Sequence, residues 1–200
     1  MREPRTLSRT GGLIVVLSGP SGVGKDTLLQ YFLKTTPCCV RLVTCTTRPP
    51  RPDEQDGVDY QFVSVEEFRR MQEAGELLES ADVFGYHYGS PRRFVEEQTA
   101  RGLDVILRID VQGGVSVRKA APEAVLVFLA PPSFEELERR LKGRNTETEE
   151  SLRRRLAEAR REMEAASEYD YLIIHDSTER AAEDLRAILR AEHLRIVKKS

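Results

Sequence analysis

The sequence predicts an α/β fold, a doubly wound sheet of five parallel strands with a small mixed α/β lobe inserted into it. Three observations predict this. Five short apolar runs, near residues 13–17, 40–44, 103–109, 124–129 and 171–174, alternate with segments whose apolar residues recur at helical spacing. The first run passes directly into a glycine-rich turn and then a helix, in the stretch LIVVLSGPSGVGKDTLLQ at 13–30. Between about Cys45 and Ser90 the predicted strands are short and lack the long crossover helices of a parallel sheet, which marks an insertion.

Composition bounds the reading. The chain has 200 residues, enough for one domain with a substantial core. Hydrophobic residues make up 40% and charged residues 32%, as in a soluble globular protein. The net charge of −2 provides no global basic field for nucleic acid. No apolar run approaches the roughly 18 residues of a membrane helix. The N-terminal MREPRTLSRTGG is basic and polar without an apolar segment, so residues 1–12 are expected to form a flexible tail and not a secretory signal. Cys38, Cys39 and Cys45 are odd in number and lack zinc spacing, which suits reduced thiols in a cytoplasmic protein.

In chain order, Leu13 to Leu17 is a buried strand, and Asp26 to Lys34 a helix with Leu28, Leu29, Phe32 and Leu33 inward. Val40 to Thr44 is the next strand. A proline- and charge-rich loop, TTRPPRPDEQDGVDY, follows and turns at Asp56-Gly57. Asp59 to Val63 alternates like a strand. Ser64 caps a helix running to about Ala74, with Glu67 at the capping-box position. Leu77 to Val83 and Tyr86 to Ser90 read as two strands turned at Gly85. The main frame resumes with a helix from Pro91 to Arg101 and a strand from Leu103 to Ile109, with a short helix from near Gly113. After the strand Ala124 to Leu129, Ser133 caps a helix with Glu136 completing the box. Thr148 to Glu168 is a long helix whose apolar stripe is Leu152, Leu156, Ala159, Met163 and Ala166. Tyr171 to Ile174 is the last strand, and Thr178 to about Ile196 the last helix.

The chemistry concentrates in three places. Gly19 and Gly24 stand five apart with Lys25 directly after, between a strand and a helix. Glycines let successive backbone N–H groups converge on one anion, and the helix N-terminus adds partial positive charge. Lys25 adds a mobile full charge for the outer phosphates. The usual loop of this kind has Ser or Thr after the Lys; here it is Asp26, with Thr27 behind it. Asp26 is a legitimate oxygen ligand for Mg²⁺ and equally a favourable acid at a helix N-terminus. Arg48 and Arg51, three apart in a stiff loop, read as an anion clamp. Asp110 follows a predicted parallel strand, at the edge where ligands of α/β sheets bind.

The motifs GPSGVGK at 19–25, TTRPPRPDEQDGVDYQFVS at 46–64, YGS at 88–90, IDVQG at 109–113 and GRNTETEE at 143–150 together resemble the guanylate kinase family, in the same order and over residues 13 to 190. The resemblance implies a P-loop NTPase core and transfer of the γ-phosphoryl of ATP to GMP (or dGMP), giving ADP and GDP, with Mg²⁺ bound alongside ATP. It implies a core at 13–44 and 91–198, a GMP-binding lobe at 45–90 and a helical lid at about 143–155, the whole domain spanning 13–198. Gly19, Ser21, Gly22, Val23, Gly24, Lys25, Asp26 and Thr27 would bind ATP. Arg48, Arg51, Tyr60 and Tyr88 would hold the GMP phosphate, with Ser90 nearby, Glu79 accepting from the guanine edge and Thr44 at a position usually Ser. Lys25, Arg48 and the lid arginines Arg144 and Arg155 would stabilise the transferring phosphoryl, and Asp26 and Asp110 would lie at the metal. Partners would be ATP and GMP, without nucleic acid or membrane, in a cytoplasmic monomer or homodimer.

Four residues depart from the family pattern. Besides Asp26, Arg108 stands where an acid commonly helps to read guanine, His175 where Asn commonly lies near the adenine, and Asn145 where the lid has Gly. Arg108 has only donors, so it reaches the guanine O6 or pairs with a neighbouring carboxylate such as Glu79 or Asp110. Two alternatives stay open: a non-catalytic scaffold binding phosphopeptides in the same lobe, and a kinase for another nucleoside monophosphate.

Overall fold

A computed structural model describes residues 11–83, 85–142 and 149–196. The main sheet contains β1 (Ile14–Ser18), β2 (Cys39–Arg41), β7 (Asp104–Arg108), β8 (Val125–Ala130) and β9 (Tyr171–Ile174). Its order is β2-β7-β1-β8-β9, and every pairing is parallel. The first strand is therefore central, which explains its unbroken apolar character: both its faces are covered.

Alternation along β1 assigns each face. Leu13, Val15 and Leu17 pack with Leu28, Leu29 and Phe32 of α1 (Lys25–Thr35) and with Ala181, Ala182, Leu185 and Leu189 of α7 (Thr178–His193). Val16, with Val105 and Leu107, packs on the other face with Val95 of α3 (Arg92–Ala100) and Val117 of α4 (Val111–Ala120). The sheet's amino edge is tied by buried Asp104, which accepts from the Leu13 N–H at 2.8 Å and pairs with His193 at 2.9 Å.

The inserted lobe is a second sheet of order β4-β3-β6-β5. Its strands are β3 (Cys45–Thr46), β4 (Gln61–Phe62), β5 (Leu77–Val83) and β6 (Tyr86–Pro91). Strand β6 runs antiparallel to both its neighbours. Helix α2 (Val65–Glu73) covers it through a small cluster of Cys45, Phe68, Met71 and Leu77. The remaining helices are α5 (Phe134–Lys142) and α6 (Glu149–Glu164), packed through Leu137, Leu141 and Ala159.

Several boundaries differ from expectation. The strand expected over 40–44 ends at Arg41, because the chain leaves one sheet for the other; Leu42 still donates to the Ile106 carbonyl, and Cys45 already pairs in the lobe. The strand expected over 59–63 shrinks to Gln61–Phe62, since Asp59 belongs to the preceding turn and its carboxylate accepts from Gln55 N–H. Helix α4 begins at Val111, with Asp110 itself as N-cap, earlier than the glycine pair suggests. Helix α6 gives way to a 3₁₀ turn at Ala165–Glu168, and α7 stops at His193. Ser64 and Ser133 do cap α2 and α5, accepting from the N–H of Glu67 and Glu136. The side chains of Glu67 and Glu136 do not complete the boxes: Arg70 takes the first, and Arg139 with Arg140 takes the second. All three cysteines are free thiols, and burial pushes Cys45 up to about 12. No helix among the described residues is long and apolar enough to cross a membrane.

Candidate active site

Because the five strands are parallel, their carboxyl ends deliver functional residues to one edge. Strand β1 delivers the glycine loop, β7 delivers Arg108, Ile109 and Asp110, and β9 delivers His175. The loop closes tightly: Gly24 adopts φ 102°, and a Cβ there would sit 2.5 Å from the His175 ring. That ring is itself bonded to the Val23 carbonyl at 2.7 Å through Nδ1. Helix α1 then starts at Lys25, so its unpaired N–H groups face the loop.

The Lys25 ammonium folds back onto the loop carbonyls of Gly19 and Pro20. Burial pulls its pKa down to about 8, an effect that Glu162 opposes and Arg108 reinforces. Glu162, on α6, reaches into the loop and accepts from the Ser21 N–H at 3.2 Å. Its carboxyl is raised by the same burial, with Lys25 pulling the other way. Arg155, three residues into the basic run of α6, donates to the Ser21 hydroxyl at 2.9 Å. On the far side of the loop, Gly22, Gly24, Thr27, Arg140, His175 and Thr178 border a shallow cleft of about 380 Å³.

Between the loop and the lobe lies a cavity of about 260 Å³, bordered by Ser21, Lys25, Thr44, Arg51, Tyr60, Glu79, Tyr88, Arg108, Asp110 and Glu162. A larger groove, of about 590 Å³, lies at Gly11–Ile14 beside α3, at the opposite edge of the sheet from every residue just named. The smaller cavity is therefore the chemically relevant one.

Glu79 is the cavity's deepest carboxylate. It is 7% exposed and accepts from the buried Ser90 hydroxyl at 2.6 Å. Burial raises it to about 7, the Ser90 bond opposes this, and Asp110 adds to it. Gly113 makes room for it: a Cβ there would stand 3.2 Å from both Glu79 Oε2 and Asp110 Oδ1. Asp110 accepts from the Gly113 N–H at 2.8 Å, and burial raises its pKa against that bond. Thr44 is 5% exposed on the cavity wall.

The arginine loop is pre-organised by Glu54, a residue of its motif to which the sequence reading gave no role. Glu54 takes one terminal nitrogen of Arg48 between its two oxygens, at 2.7 and 2.8 Å, and also accepts from the Arg51 N–H at 2.8 Å. Burial works against the Glu54 charge, yet the Arg51 amide and the Arg48 guanidinium hold its pKa below the usual carboxylate value. Arg48 also donates to the Tyr88 hydroxyl at 3.3 Å and lies 5.4 Å from the Tyr60 ring centre. The Arg51 side chain is 70% exposed, at the cavity mouth.

Arg108 pairs with neither Glu79 nor Asp110. Its partner is Asp26, at 2.9 Å, together with the Tyr60 hydroxyl at 2.8 Å. Glu162 and Arg140 also belong to the site although their sequence context reads as the solvated face of a helix. Arg140 donates to the carbonyls of Val23 and His175, both at 3.1 Å. Arg144 and Asn145, like the proposed tail up to Thr10, lie outside the described residues.

A glycine loop with its lysine, set on a parallel sheet and facing a second lobe that carries an arginine clamp and a buried acid, defines a P-loop kinase of small phosphorylated molecules. Comparison with known proteins narrows the class. Residues 12–192 match the family profile described as Guanylate kinase. The chain is 51% identical to a guanylate kinase of Symbiobacterium thermophilum over 94% of this chain and 89% of that protein. It is 49% identical to one from Myxococcus xanthus over 92% and 88%. The crystal structure of guanylate kinase from Anaplasma phagocytophilum superimposes with a TM-score of 0.78 at 36% identity, covering 94% of this chain and 90% of the other. The chain belongs to the guanylate kinase family. These relatives lend no support to the non-catalytic scaffold.

Proposed function

We propose that the chain transfers the γ-phosphoryl of ATP to GMP or dGMP in the cytoplasm, with the glycine loop as donor site and the cavity at the lobe as acceptor site. The observation that carries this reading is Glu79, a buried acceptor in a cavity whose opposite wall is Lys25. Guanine presents N1–H and N2–H₂ donors, and a carboxylate accepts both; adenine presents no such pair. The acceptor phosphate then falls to Arg48, Arg51, Tyr60 and Tyr88.

The attacking atom is an oxygen of the GMP phosphate, already anionic, so no side chain has to remove a proton. Catalysis is positioning plus charge neutralisation. Lys25 leaves the Gly19 and Pro20 carbonyls for the γ-phosphoryl, and the backbone N–H groups from Ser21 to Asp26 surround the inner phosphates. Arg155 already touches the loop and turns to the ATP phosphates, joined by Arg144. Thr27 meets the inner phosphates, and His175 lines the cleft on the adenine side.

Mg²⁺ bound with ATP would supply charge neutralisation at the phosphates. Among the described residues no group of three or more His, Cys, Asp or Glu side chains is arranged to cage a metal. Mg²⁺ that arrives with a nucleotide is generally held by one or two carboxylates plus substrate phosphates. Asp110, on the cavity wall, would hold it; Asp26 is engaged by Arg108, so a metal role for it would require that pair to open.

A coupled assay across the nucleoside monophosphates tests the proposal. GMP is expected to exceed AMP by at least about a hundredfold, since two or more buried acceptors left unpaired cost about 1–3 kcal/mol each. Equal use of AMP, CMP or UMP would overturn the guanine assignment and leave the kinase assignment standing.

A further inference from the structure

Arg108 ends β7, beside Leu17 of the central strand, where its side chain reaches both the phosphate loop and the lobe. The side chain is only 14% exposed. One terminal nitrogen lies 2.9 and 3.0 Å from the two oxygens of Asp26, the residue directly after Lys25. The other donates to the Tyr60 hydroxyl at 2.8 Å. The guanidinium carbon is 5.4 Å from the Tyr60 ring centre, the same distance as that of Arg48, so two cations flank this ring. The Arg108 Nε is buried without a hydrogen-bond partner among the described residues, so packing satisfaction alone does not account for an arginine here.

The chemistry of these bonds is directional. Arginine can only donate, so the Tyr60 oxygen accepts and its own proton is left for a third group. Tyr60 and Tyr88 line the cavity assigned above to the acceptor, so an anion bound there is within the direction left to that proton. Asp26 holds the opposite end of the fork, so the orientation of Tyr60 depends on a residue of the donor-site helix. Burial opposes the charge on Arg108, but Tyr60 and Asp26 keep it firmly protonated.

We infer that Arg108 is a positioning residue for the acceptor phosphate, held by Asp26 and acting through the Tyr60 hydroxyl. The position after Lys25, which the motif assigns to the metal, thus serves the GMP side in this chain. Arg108 in turn sets acceptor affinity and not the choice of base, because it makes no bond to Glu79. This rests on the placement of the GMP phosphate at Arg48, Tyr60 and Tyr88 proposed above.

The test is a set of steady-state constants for Tyr60→Phe, Arg108→Ala, Asp26→Ala and the double variant Arg108→Ala/Tyr60→Phe, with thermal unfolding as a control. Each of the first two is expected to raise KM for GMP about tenfold, the size of a lost hydrogen bond to a charged group, with KM for ATP unchanged. The double variant should be no worse than the poorer single by more than about twofold, since both remove one pathway. Asp26→Ala should raise KM for GMP severalfold and leave the Mg²⁺ requirement alone, and the GMP-to-AMP ratio should stay constant in Arg108→Ala. Multiplying effects in the double variant, a changed base preference in Arg108→Ala, or a raised Mg²⁺ requirement with normal KM for GMP in Asp26→Ala would each overturn the inference. An unaltered KM for GMP in Tyr60→Phe would overturn the phosphate placement beneath it as well. Should Arg108→Ala fail to fold, Arg108→Lys, which keeps the charge but cannot span both partners, gives the same comparison.

Discussion

The parallel sheet and the inserted lobe solve the same problem, holding charged groups at a phosphate, with opposite means. In the sheet, β1 and β8 are nearly solid hydrocarbon, packed by helices on both faces, and the glycine loop emerges from that frame. The lobe has one small apolar cluster under α2 and relies on polar links: Arg48 to Glu54 and Tyr88, Arg108 to Tyr60, Ser90 to Glu79. A buried apolar frame confers rigidity without regard to ligand. A polar network around a small core is adjusted by the charges it binds. The division suits a donor site that must keep one loop geometry and an acceptor site that must read a base and then close.

The largest expected effect breaks the donor side. Lys25→Ala should lower kcat by a few orders of magnitude, as when a charge at a transferring phosphoryl is removed. Near-normal kcat in a stopped-time coupled assay would sink the role given to the loop.

The next effect sharpens the comparison in energetic terms. Phe32 is fully buried under the sheet, and its replacement by Ala should cost about 3–5 kcal/mol of global stability in denaturant unfolding. Phe68 is equally buried, under the lobe, stacked 5.3 Å from the His87 ring. Phe68→Ala should instead speed amide exchange from β3 to β6 while the amides of β1, β7 and β8 keep their protection. Uniform loss of protection in both variants would show that sheet and lobe form one cooperative unit.

A smaller effect concerns the base. Glu79→Gln replaces one acceptor with a donor opposite the guanine N–H groups, so kcat/KM for GMP should fall about 10- to 100-fold with KM for ATP unaltered. An equal loss towards ATP would remove Glu79 from the acceptor site.

The smallest effect is a pH dependence. The folded Glu79 carboxyl keeps its proton up to about pH 7, against 4.5 for the ordinary group. Ligand-free stability from this group therefore falls as pH rises between those values. GMP requires the ionised form, so its affinity should strengthen as pH rises through about 7, by up to about tenfold per unit below that point. The GMP phosphate titrates in a similar range, so the telling quantity is the ratio of KM values for the natural chain and Glu79→Gln between pH 6 and 8. A ratio flat with pH would contradict the buried carboxyl.

Local code made much of this legible. The run at 13–17 reads as a buried strand because it is unbroken apolar sequence ending in a glycine turn, and the glycines and Lys25 mark an anion loop through backbone geometry; its central place in the sheet came only with the strand order. The capping serines were legible for the same reason, since the hydroxyl and the N–H it caps are three residues apart. What lay beyond reach were pairings across long intervals. Asp26 meets Arg108 over 82 positions, and Glu162 meets Ser21 over 141. In sequence Glu162 looks like any acid on a charged helix, and Arg140 like half of an i,i+4 pair. Glu54 stands in the same motif as Arg48, yet their pairing was not legible, because it is made through a loop whose shape no periodicity describes.

The sequence by itself determined the strand–loop–helix unit, the existence of five parallel strands, the inserted lobe and the family, because each is written in short-range spacing and residue type; it did not determine that the last strand lies at an edge with Leu172 and Ile174 exposed. The tertiary structure decided which charges face one another. That follows from the strand order β2-β7-β1-β8-β9, which sets the end of β7 beside the loop of β1 and turns Arg108 toward Asp26 and Tyr60 instead of Glu79. Electrostatic partners are chosen by distance in space, and distance in space is fixed only when the sheet has closed.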